Sequence, residues 1–279
     1  MKIDKVIMSC NDNPFYSDYW PVVSRVWKEK IGVEPVLVYF GDASKLSQEY
    51  GTVVEMEKIE SVPIYTQAQW GRFWYTQFEP ETMWLISDID MLPMNRDYFV
   101  TSVVDMPREI EPYVHYNTNA EFNQEIEEWK LVGDCIHGGV CIPTCYSAGS
   151  GKLRKEMLDL VPSLEDSINN LKWEENDYNH APDGVNGCAH WYAEEAYQGE
   201  KTKEWIASNP DKFFTVNRPG GFCSNRLDRG HDSMPEWDKQ ALELGWYMDF
   251  HMPRPWSKFG NQIQEVADIL LGEQCQTIK

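Results

Sequence analysis

The stretch Met83-Trp84-Leu85-Ile86-Ser87-Asp88-Ile89-Asp90-Met91-Leu92-Pro93 says most about how this chain of 279 residues folds. Its first part is apolar without polar alternation, which is typical of a central strand covered on both faces. Two carboxylates, Asp88 and Asp90, follow with one residue between them. Because ligands of open α/β sheets bind where such strands end, the stretch predicts a buried strand that delivers an acidic site. Pro93 has no N–H for a ladder, and we expect it to stop the strand.

The two carboxylates suggest a cation site. Hard oxygen donors such as Asp88 and Asp90 hold Mn²⁺ or Mg²⁺, and such an ion neutralises the phosphates of a bound nucleotide. The alternative is structural, because carboxylates after a strand also cap turns and keep the sheet edge soluble.

Two segments resemble one family of enzymes. Ser87-Asp88-Ile89-Asp90-Met91-Leu92-Pro93 resembles the Asp-x-Asp motif of nucleotide-sugar glycosyltransferases of the GT-A fold, in particular glycosyltransferase family 8 and the related glucosylating toxins. Asp249-Phe250-His251-Met252-Pro253-Arg254-Pro255-Trp256 is similar to the family 8 segment in which a His binds the metal and a basic residue approaches the diphosphate. Here the basic residue is Arg254, whereas the family usually has Lys, and the spacing after the His is shorter.

The resemblance implies a fold and a ligand set. The fold is α/β, a Rossmann-like GT-A fold with a mostly parallel central sheet flanked by helices. Asp90 and His251 are implied as metal ligands, and Asp88 as a ligand or a ribose contact. Arg254 and Lys258 are candidates for the phosphates, with solvated surface charge as the alternative.

The nucleotide is expected over the loops after the first two strands. Ser9 and Asn11 belong to the first of these loops, and Asp42 lies in the turn after the second strand. These residues are also turn formers that satisfy their own backbone without a ligand. In the resembling families an Arg on the helix before the Asp-x-Asp strand reaches the donor, and Arg72 occupies that position here. A solvent-facing arginine is the alternative.

The adjacent acids Glu194 and Glu195 are the candidates for acid–base chemistry. They resemble the acidic position that faces the acceptor in GT-A enzymes, where a carboxylate can act as general base and give inversion. In retaining relatives the corresponding group only steadies the donor. Two adjacent residues on a helix point about 100° apart, so at most one of them faces the site. The resemblance favours Glu195, which aligns better with the acidic position of the resembling families. Alternatively, both acids simply favour the helix dipole.

Charge and cysteine content limit the possible partners and the compartment. Forty-five acidic against 25 basic residues give a net charge of −20, which opposes binding to nucleic acid or to an anionic membrane surface. A phosphorylated donor therefore needs positive charge supplied locally. We find no apolar run long enough for a signal peptide or a membrane span, and the seven cysteines fit reduced thiols, so we expect a cytoplasmic protein.

A zinc site is the alternative use of part of the cysteine content. Cys135, His137, Cys141 and Cys145 contain suitable ligand types. However, Cys141 falls in an apolar segment, where a small buried hydrophobic residue is expected.

The pattern along the chain predicts alternating strands and helices in a single domain of residues 1–279. Residues 1–100 form the nucleotide-sugar half and residues 101–279 the acceptor half with the C-terminal metal and phosphate segment. Residue 18 is expected to cap the first helix, and the 163–187 segment to be a long surface loop. Besides the strand of the Asp-x-Asp stretch, the predicted strands are residues 5–9, 35–40, 52–56, 137–144 and 213–216, and the predicted helices are residues 19–27, 68–78, 189–198 and 262–271.

These observations predict a metal-dependent glycosyltransferase that moves a sugar from a UDP- or GDP-sugar donor to a saccharide or glycan acceptor. A nucleotidyltransferase is one alternative, but it would normally show a Gly-rich phosphate loop after the first strand, which is absent here. A non-catalytic carbohydrate-binding protein is the other. Such a binder has no need of Asp88, Asp90 and His251 together, because it neutralises no diphosphate.

Overall fold

A computed structural model describes residues 1–116, 144–171, 193–219, 225–230 and 232–272, together with the backbone of residues 120–123 and 128–131. The strands, numbered in chain order, are β1 (Lys5–Asn11), β2 (Glu34–Phe40), β3 (Thr52–Glu55), β4 (Met83–Ser87), β5 (Met91–Pro93), β6 (Tyr113–Tyr116), β7 (Ala120–Asn123), β8 (Glu128–Leu131), β9 (Tyr146–Ser150), β10 (Phe213–Val216), β11 (Arg226–Asp228) and β12 (Asp249–His251).

The central sheet has seven strands in the order β10-β6-β9-β4-β1-β2-β3. Strands β3, β2, β1 and β4 are mutually parallel, and β6 and β10 pair in parallel at the other end of the sheet. Only β9 runs against its neighbours, β4 and β6. The predicted α/β class with a mostly parallel central sheet is therefore confirmed.

Helices cover both faces of this sheet. The α-helices are α1 (Pro14–Ser17), α2 (Trp20–Val26), α3 (Ile64–Tyr75), α4 (Arg96–Phe99), α5 (Gly151–Met157), α6 (Leu164–Asn169), α7 (Ala193–Ser208), α8 (Lys239–Glu243) and α9 (Trp256–Leu271). Short 3₁₀ or π turns occupy Trp27–Ile31, Ala43–Lys45, Thr76–Phe78, Thr101–Val103, Arg108–Ile110 and Pro210–Lys212.

Alternation along β1 assigns its side chains to two cores. Val6 and Met8 pack on the side of α2 and α9, whereas Ile7 packs on the side of α3 with Trp70. A strand with apolar residues on both faces is buried on both sides, as the apolar run of β4 also predicted. All five residues of β4 are buried.

A second sheet lies beside the carboxyl end of β4. It has three strands in the order β11-β12-β5, with β11 parallel and β5 antiparallel to the central β12. This sheet joins the residues just after the Asp-x-Asp turn to two segments from the last quarter of the chain. It was not predicted from the sequence.

Three details of the sequence prediction are wrong. The strand of the Asp-x-Asp stretch ends at Ser87, not at Pro93, because Pro93 is the last residue of β5 in the second sheet. Asp18 ends α1 and does not cap α2, which starts after Tyr19 without a side-chain cap. The 163–187 segment begins with helix α6, which Ser163 caps through its side chain.

The starts of the other predicted strands agree to within one residue, whereas α7 ends ten residues beyond the predicted residue 198 and α9 begins six residues before the predicted residue 262. The predicted strands that start at residues 5, 35, 52 and 213 correspond to β1, β2, β3 and β10, and the predicted helices are α2, α3, α7 and α9. Residues 137–143 of the predicted strand 137–144 lie outside the described residues, and Thr144 lies in a turn. The residues of the 163–187 segment beyond 171 also lie outside the described residues, as do Cys135, His137 and Cys141. No helix among the described residues has the length and apolarity needed to cross a lipid bilayer. The domain division stays a prediction.

Candidate active site

The carboxyl ends of three parallel strands meet at one edge of the central sheet. The β1–β2 register pairs Asn11 with Phe40, so the loops that follow β1 and β2 leave the sheet side by side. Strand β4 ends at the same edge, where Asp88 follows Ser87. This is the crevice in which ligands of open α/β sheets bind.

The Asp-x-Asp turn sends its two carboxylates to different partners. Asp88 faces Arg72 of α3, and Asp90 faces His251 of β12 and Arg229. Ile89 between them is buried in the core. The turn therefore joins two clusters of charged side chains, which we call the Arg72 cluster and the His251 cluster.

The Arg72 cluster consists of Arg72, Asp88, Thr144, Glu194 and Glu195. Gly71 lets α3 lie close to the sheet, since a Cβ atom there would stand 2.9 Å from the Phe40 ring. The buried Arg72 guanidinium donates from Nη1 to the Asp88 carboxylate and from Nη2 to the Thr144 hydroxyl over 3.1 Å.

The two acids that begin α7 approach the same guanidinium. Burial and the neighbouring Glu195 charge raise the pKa of Glu194 to about 8, against the opposing effect of Arg72. Burial and the Asp88 charge raise the pKa of Glu195 to about 7, against the opposing effect of Arg72. Glu194 is 5% exposed, and its Oε2 atom makes no hydrogen bond within the described ranges. The structure thus brings Glu195, Arg72 and Asp88 together, and their roles in catalysis and donor binding stay predictions.

The raised pKa of Glu194 predicts a loss of stability with increasing pH. Between about pH 4.5, where the unfolded carboxyl loses its proton, and about pH 8 the folded protein binds more protons than the unfolded chain. Stability contributed by this group is therefore present at low pH and falls as the pH rises to about 8. We expect the melting temperature of Glu194→Gln to fall less than that of wild type between these two pH values. Glu265→Gln, a substitution at an exposed position of α9, should show the same fall as wild type. An equal change of melting temperature with pH in wild type and Glu194→Gln would contradict the expectation.

The His251 cluster is built on the second sheet. Register places Asp228 of β11 beside His251 of β12, and His251 beside Met91 of β5. The His251 Nδ1 atom lies 3.2 Å from Asp228 Oδ1, and Nε2 lies 3.6 Å from Asp90 Oδ2. Because a carboxylate only accepts, the Nδ1–H donates to Asp228, and the opposite ring nitrogen is directed at Asp90.

Neighbouring cations keep the acids of this cluster ionised. Burial raises the pKa of Asp90, but the His251 ring and the nearby guanidinium groups outweigh burial and hold this pKa well below its usual range. The hydrogen bond from His251 lowers the pKa of Asp228 to about 2. Burial lowers the pKa of His251, but its bonds to Asp228 and Asp90 raise it by more. In this cluster the negative charges of Asp90 and Asp228 are therefore offset by the positive groups beside them.

Arg229 belongs to this cluster and was not predicted. Its Nη1 atom donates to Asp90 Oδ2 over 3.0 Å and to the Met252 carbonyl over 3.3 Å. The alternation of Arg226, Asp228 and apolar Leu227 was the available signal, since it marks a short strand with one polar face. Three residues are too few for that pattern to stand out.

A buried ion pair holds β12 in place below His251. The Arg218 guanidinium binds both oxygens of Asp249, with Nε–Oδ1 at 3.0 Å and Nη2–Oδ2 at 2.7 Å. Arg226 of β11 stands opposite Asp249, 3.9 Å from the same carboxylate. Such a pair, with both side chains fully buried, fixes the position of β12 because the loss of either partner leaves an uncompensated charge.

The two predicted phosphate contacts lie in different surroundings. Arg254 donates to the Tyr16 hydroxyl over 2.6 Å, and its Nε atom lies 4.0 Å from Asp232 Oδ1, beside the His251 cluster. Lys258 lies exposed in the first turn of α9, with its ammonium group 4.5 Å from the Phe259 ring centre. Of the two side chains, Arg254 therefore lies closer to the His251 cluster, where the phosphate contact is predicted.

The predicted nucleotide contacts are engaged in local structure. The Ser9 hydroxyl donates to the Ala68 carbonyl of α3, Asn11 accepts from the Asn13 amide, and Asp42 accepts from the Ser44 amide over 3.1 Å. Ser9 is buried, whereas Asn11 and Asp42 lie at the open edge of the sheet. Ser9 and Asn11 lie within β1, so the loop that was predicted to start at Ser9 begins only after Asn11. Asp42 has the turn-forming role that the sequence left open, and a role of these three residues in nucleotide binding stays a prediction.

The donor set suits a divalent cation bound by two protein atoms. Asp90 Oδ2 and His251 Nε2 are 3.6 Å apart, near the separation of about 3 Å between neighbouring ligands of an octahedral ion. Within the described residues, no group of three acidic, His or Cys side chains is close enough to hold an ion unaided. Mg²⁺ and Mn²⁺ sites commonly use one or two protein donors and complete their shell with phosphate and water. Asp88 as a third ligand stays a prediction.

Comparisons with known proteins give similarities of fold only. No protein-family model matches the chain, and no curated protein matches it. A glycosyltransferase involved in glycosylation of the major capsid of PBCV-1 is 12% identical with a TM-score of 0.47, over 94% of this chain and 99% of that one. The galactosyltransferase LgtC, solved with donor and acceptor sugar analogs, is 12% identical with a TM-score of 0.45, over 94% and 95%. GlyE of Streptococcus pneumoniae is 11% identical with a TM-score of 0.48, over 98% of this chain and 63% of that one.

Proposed function

We propose that this protein is a glycosyltransferase that uses a nucleotide-sugar donor and a divalent cation, Mn²⁺ or Mg²⁺. The observation that carries the proposal is the approach of His251 to within 3.6 Å of Asp90 at the carboxyl end of the central sheet. The two residues come from distant parts of the chain, and each lies in one of the two segments that resemble glycosyltransferase family 8.

The two clusters suit the two halves of such a reaction. The His251 cluster offers a cation site on Asp90 and His251 with Arg254 alongside, and it would hold the diphosphate of the donor. The bound ion would supply neutralisation of the charge that develops on the leaving diphosphate. The Arg72 cluster lies across the Asp-x-Asp turn and offers Glu195 towards an acceptor hydroxyl.

The charge of the chain supports this division. With a net charge of −20, the protein as a whole repels a sugar diphosphate. Arg229, Arg254 and the cation site together supply the positive charge that the donor needs at one place. A saccharide acceptor carries no such requirement and suits the more acidic Arg72 cluster.

A ligand screen tests the proposal. Thermal melting of the full chain with a panel of UDP- and GDP-sugars, each with Mn²⁺ and with EDTA, should show stabilisation by at least one donor only when the ion is present. The same donor should then be hydrolysed or transferred to a saccharide in a metal-dependent manner. Absence of stabilisation and of turnover with every donor would reject the proposal.

His251→Ala should weaken nucleoside diphosphate binding in Mn²⁺ by more than about tenfold and leave binding in EDTA unchanged. The reason is that an imidazole nitrogen is lost from the cation shell, not from a direct phosphate contact. Calorimetry with UDP and GDP under both conditions measures the difference. Asp228→Asn should give a smaller loss, because it only removes the group that orients the imidazole, and Glu265→Gln should give none. Equal affinity of wild type and His251→Ala in Mn²⁺ would exclude His251 from the site.

A further inference from the structure

Arg229 occupies the position that a bound cation would take on Asp90. Its Nη1 atom lies 3.0 Å from Asp90 Oδ2, the same oxygen that His251 Nε2 approaches. The Arg229 side chain is 13% exposed and that of Asp90 is 11% exposed, so the contact is mostly buried but still reaches solvent. A guanidinium and a divalent ion repel each other at such short range, and they cannot share this oxygen at full strength.

The outer side of Arg229 faces a second arginine. Arg229 Nε lies 3.9 Å and Arg254 Nε lies 4.0 Å from the Oδ1 atom of Asp232. The Asp232 side chain is 53% exposed, so it is a weak partner for either guanidinium. The Nη2 atom of Arg229 makes no hydrogen bond to any residue in the described ranges. Two guanidinium groups that share one exposed carboxylate can exchange it for a phosphate, which binds arginine more strongly.

We propose that Arg229 is a positioning residue with two alternative partners: Asp90 in the ligand-free protein, and the diphosphate of the donor once a divalent ion has bound Asp90. This inference rests on the proposed function. Arg229 stabilises the Asp90 carboxylate while the ion is absent, and it would turn from Asp90 towards Arg254 if Asp90 held the ion. The two arginines then bind the diphosphate from one side.

The proposal predicts effects of opposite sign from one substitution. Arg229→Met keeps the aliphatic stem but removes the charge that competes for Asp90, so Mn²⁺ alone should bind about tenfold more tightly. The same variant should bind UDP and GDP in saturating Mn²⁺ about tenfold more weakly, because a charged phosphate contact is lost. If Arg229 only maintained the fold, its substitution would weaken the binding of both Mn²⁺ and the nucleoside diphosphate.

The experiment uses the full chain and two readouts other than turnover. Mn²⁺ binding is followed by electron paramagnetic resonance titration without nucleotide, and UDP or GDP binding by calorimetry in saturating Mn²⁺. Arg96→Met, which removes an exposed guanidinium in α4, is the matched control and should change neither affinity. Arg229→Lys keeps the charge but loses the planar fork, so its Mn²⁺ affinity should stay near that of wild type while nucleotide affinity falls several-fold.

Unchanged or weaker Mn²⁺ binding by Arg229→Met overturns the inference, even if nucleotide binding falls. If Arg229→Met fails to fold in thermal melting, Arg229→Lys decides, and unchanged affinity for both ligands overturns the inference. If wild type binds neither Mn²⁺ nor any nucleoside diphosphate, the proposed function fails and Arg229 loses this role with it. If wild type binds Mn²⁺ and a nucleoside diphosphate tightly, and the Arg229→Met and Arg229→Lys variants bind both with the same affinities, only the role of Arg229 is rejected.

Discussion

Asp90→Ala should abolish the Mn²⁺-dependent binding of nucleoside diphosphates and leave the fold intact. Asp90 is the one acidic side chain that both His251 and Arg229 approach within the described residues, so its removal takes away the carboxylate on which the proposed cation site depends. We expect a loss of more than about 100-fold, because residues that merely orient a metal ligand already change affinity by roughly 10- to 100-fold. Calorimetry with UDP and GDP at fixed Mn²⁺ measures it.

The fold should survive because the backbone contact of Asp90 does not need its side chain, and because Arg229 and His251 keep other polar partners in the Met252 carbonyl and the Asp228 carboxylate. Its carbonyl accepts from the Met252 amide over 2.9 Å, and alanine keeps this bond. Asp97→Ala is a suitable control, since Asp97 lies exposed in the first turn of α4. A melting temperature close to that of wild type, with binding lost, is the expected result. Unchanged Mn²⁺-dependent binding would remove Asp90 from the cation site.

Glu195→Gln should reduce glycosyl transfer by about 10²-fold and spare donor binding, because a general base contributes roughly that factor. With a pKa near 7, Glu195 loses its proton as the pH rises through neutrality, so transfer by wild type should rise over that range. Burial and the neighbouring Glu195 charge raise the pKa of Glu194, which favours its protonated form and makes it the less suitable proton acceptor of the two. Turnover against pH for wild type and both Gln variants measures these effects.

The product of the reaction provides a separate test of Glu195. A base that activates the acceptor hydroxyl gives an inverted anomeric configuration, which NMR of the product detects. A retained anomer would exclude the role of simple base. Full activity of both Glu194→Gln and Glu195→Gln would reduce the pair to favourable charges at the start of α7.

The sequence predicted what depends on continuous patterns. The unbroken apolar run before Asp88 predicted β4 correctly, since burial on both faces leaves a strong local signal. The segment after Ser163 was expected to be loop because Pro, Asn, Asp and Gly are frequent there. However, Leu164 and Ile168 stand four residues apart and are both buried in α6. The prediction from composition therefore missed a short amphipathic helix, α6.

The second sheet could not be predicted because its strands are too short and too far apart in the chain. Strands β5, β11 and β12 have three residues each, and their pairing joins residues 91–93 to residues 226–228 and 249–251. No local period reveals such contacts. His251 was found through its motif, whereas Arg229 and Asp228 have no motif and become visible only when β11 is paired with β12.

The way the N-terminal helices hold the C-terminal segment limits when the protein can first work during its synthesis. The Tyr19 hydroxyl donates to the Pro253 carbonyl and Arg254 donates to Tyr16, contacts that span 234 and 238 positions of the chain. A ribosome adds about 5–20 residues per second, so Asp90 leaves it roughly ten to thirty seconds before His251. On the proposed function, a nascent chain that already displays the Asp-x-Asp turn therefore lacks one side of the cation site until residue 251 has left the ribosome.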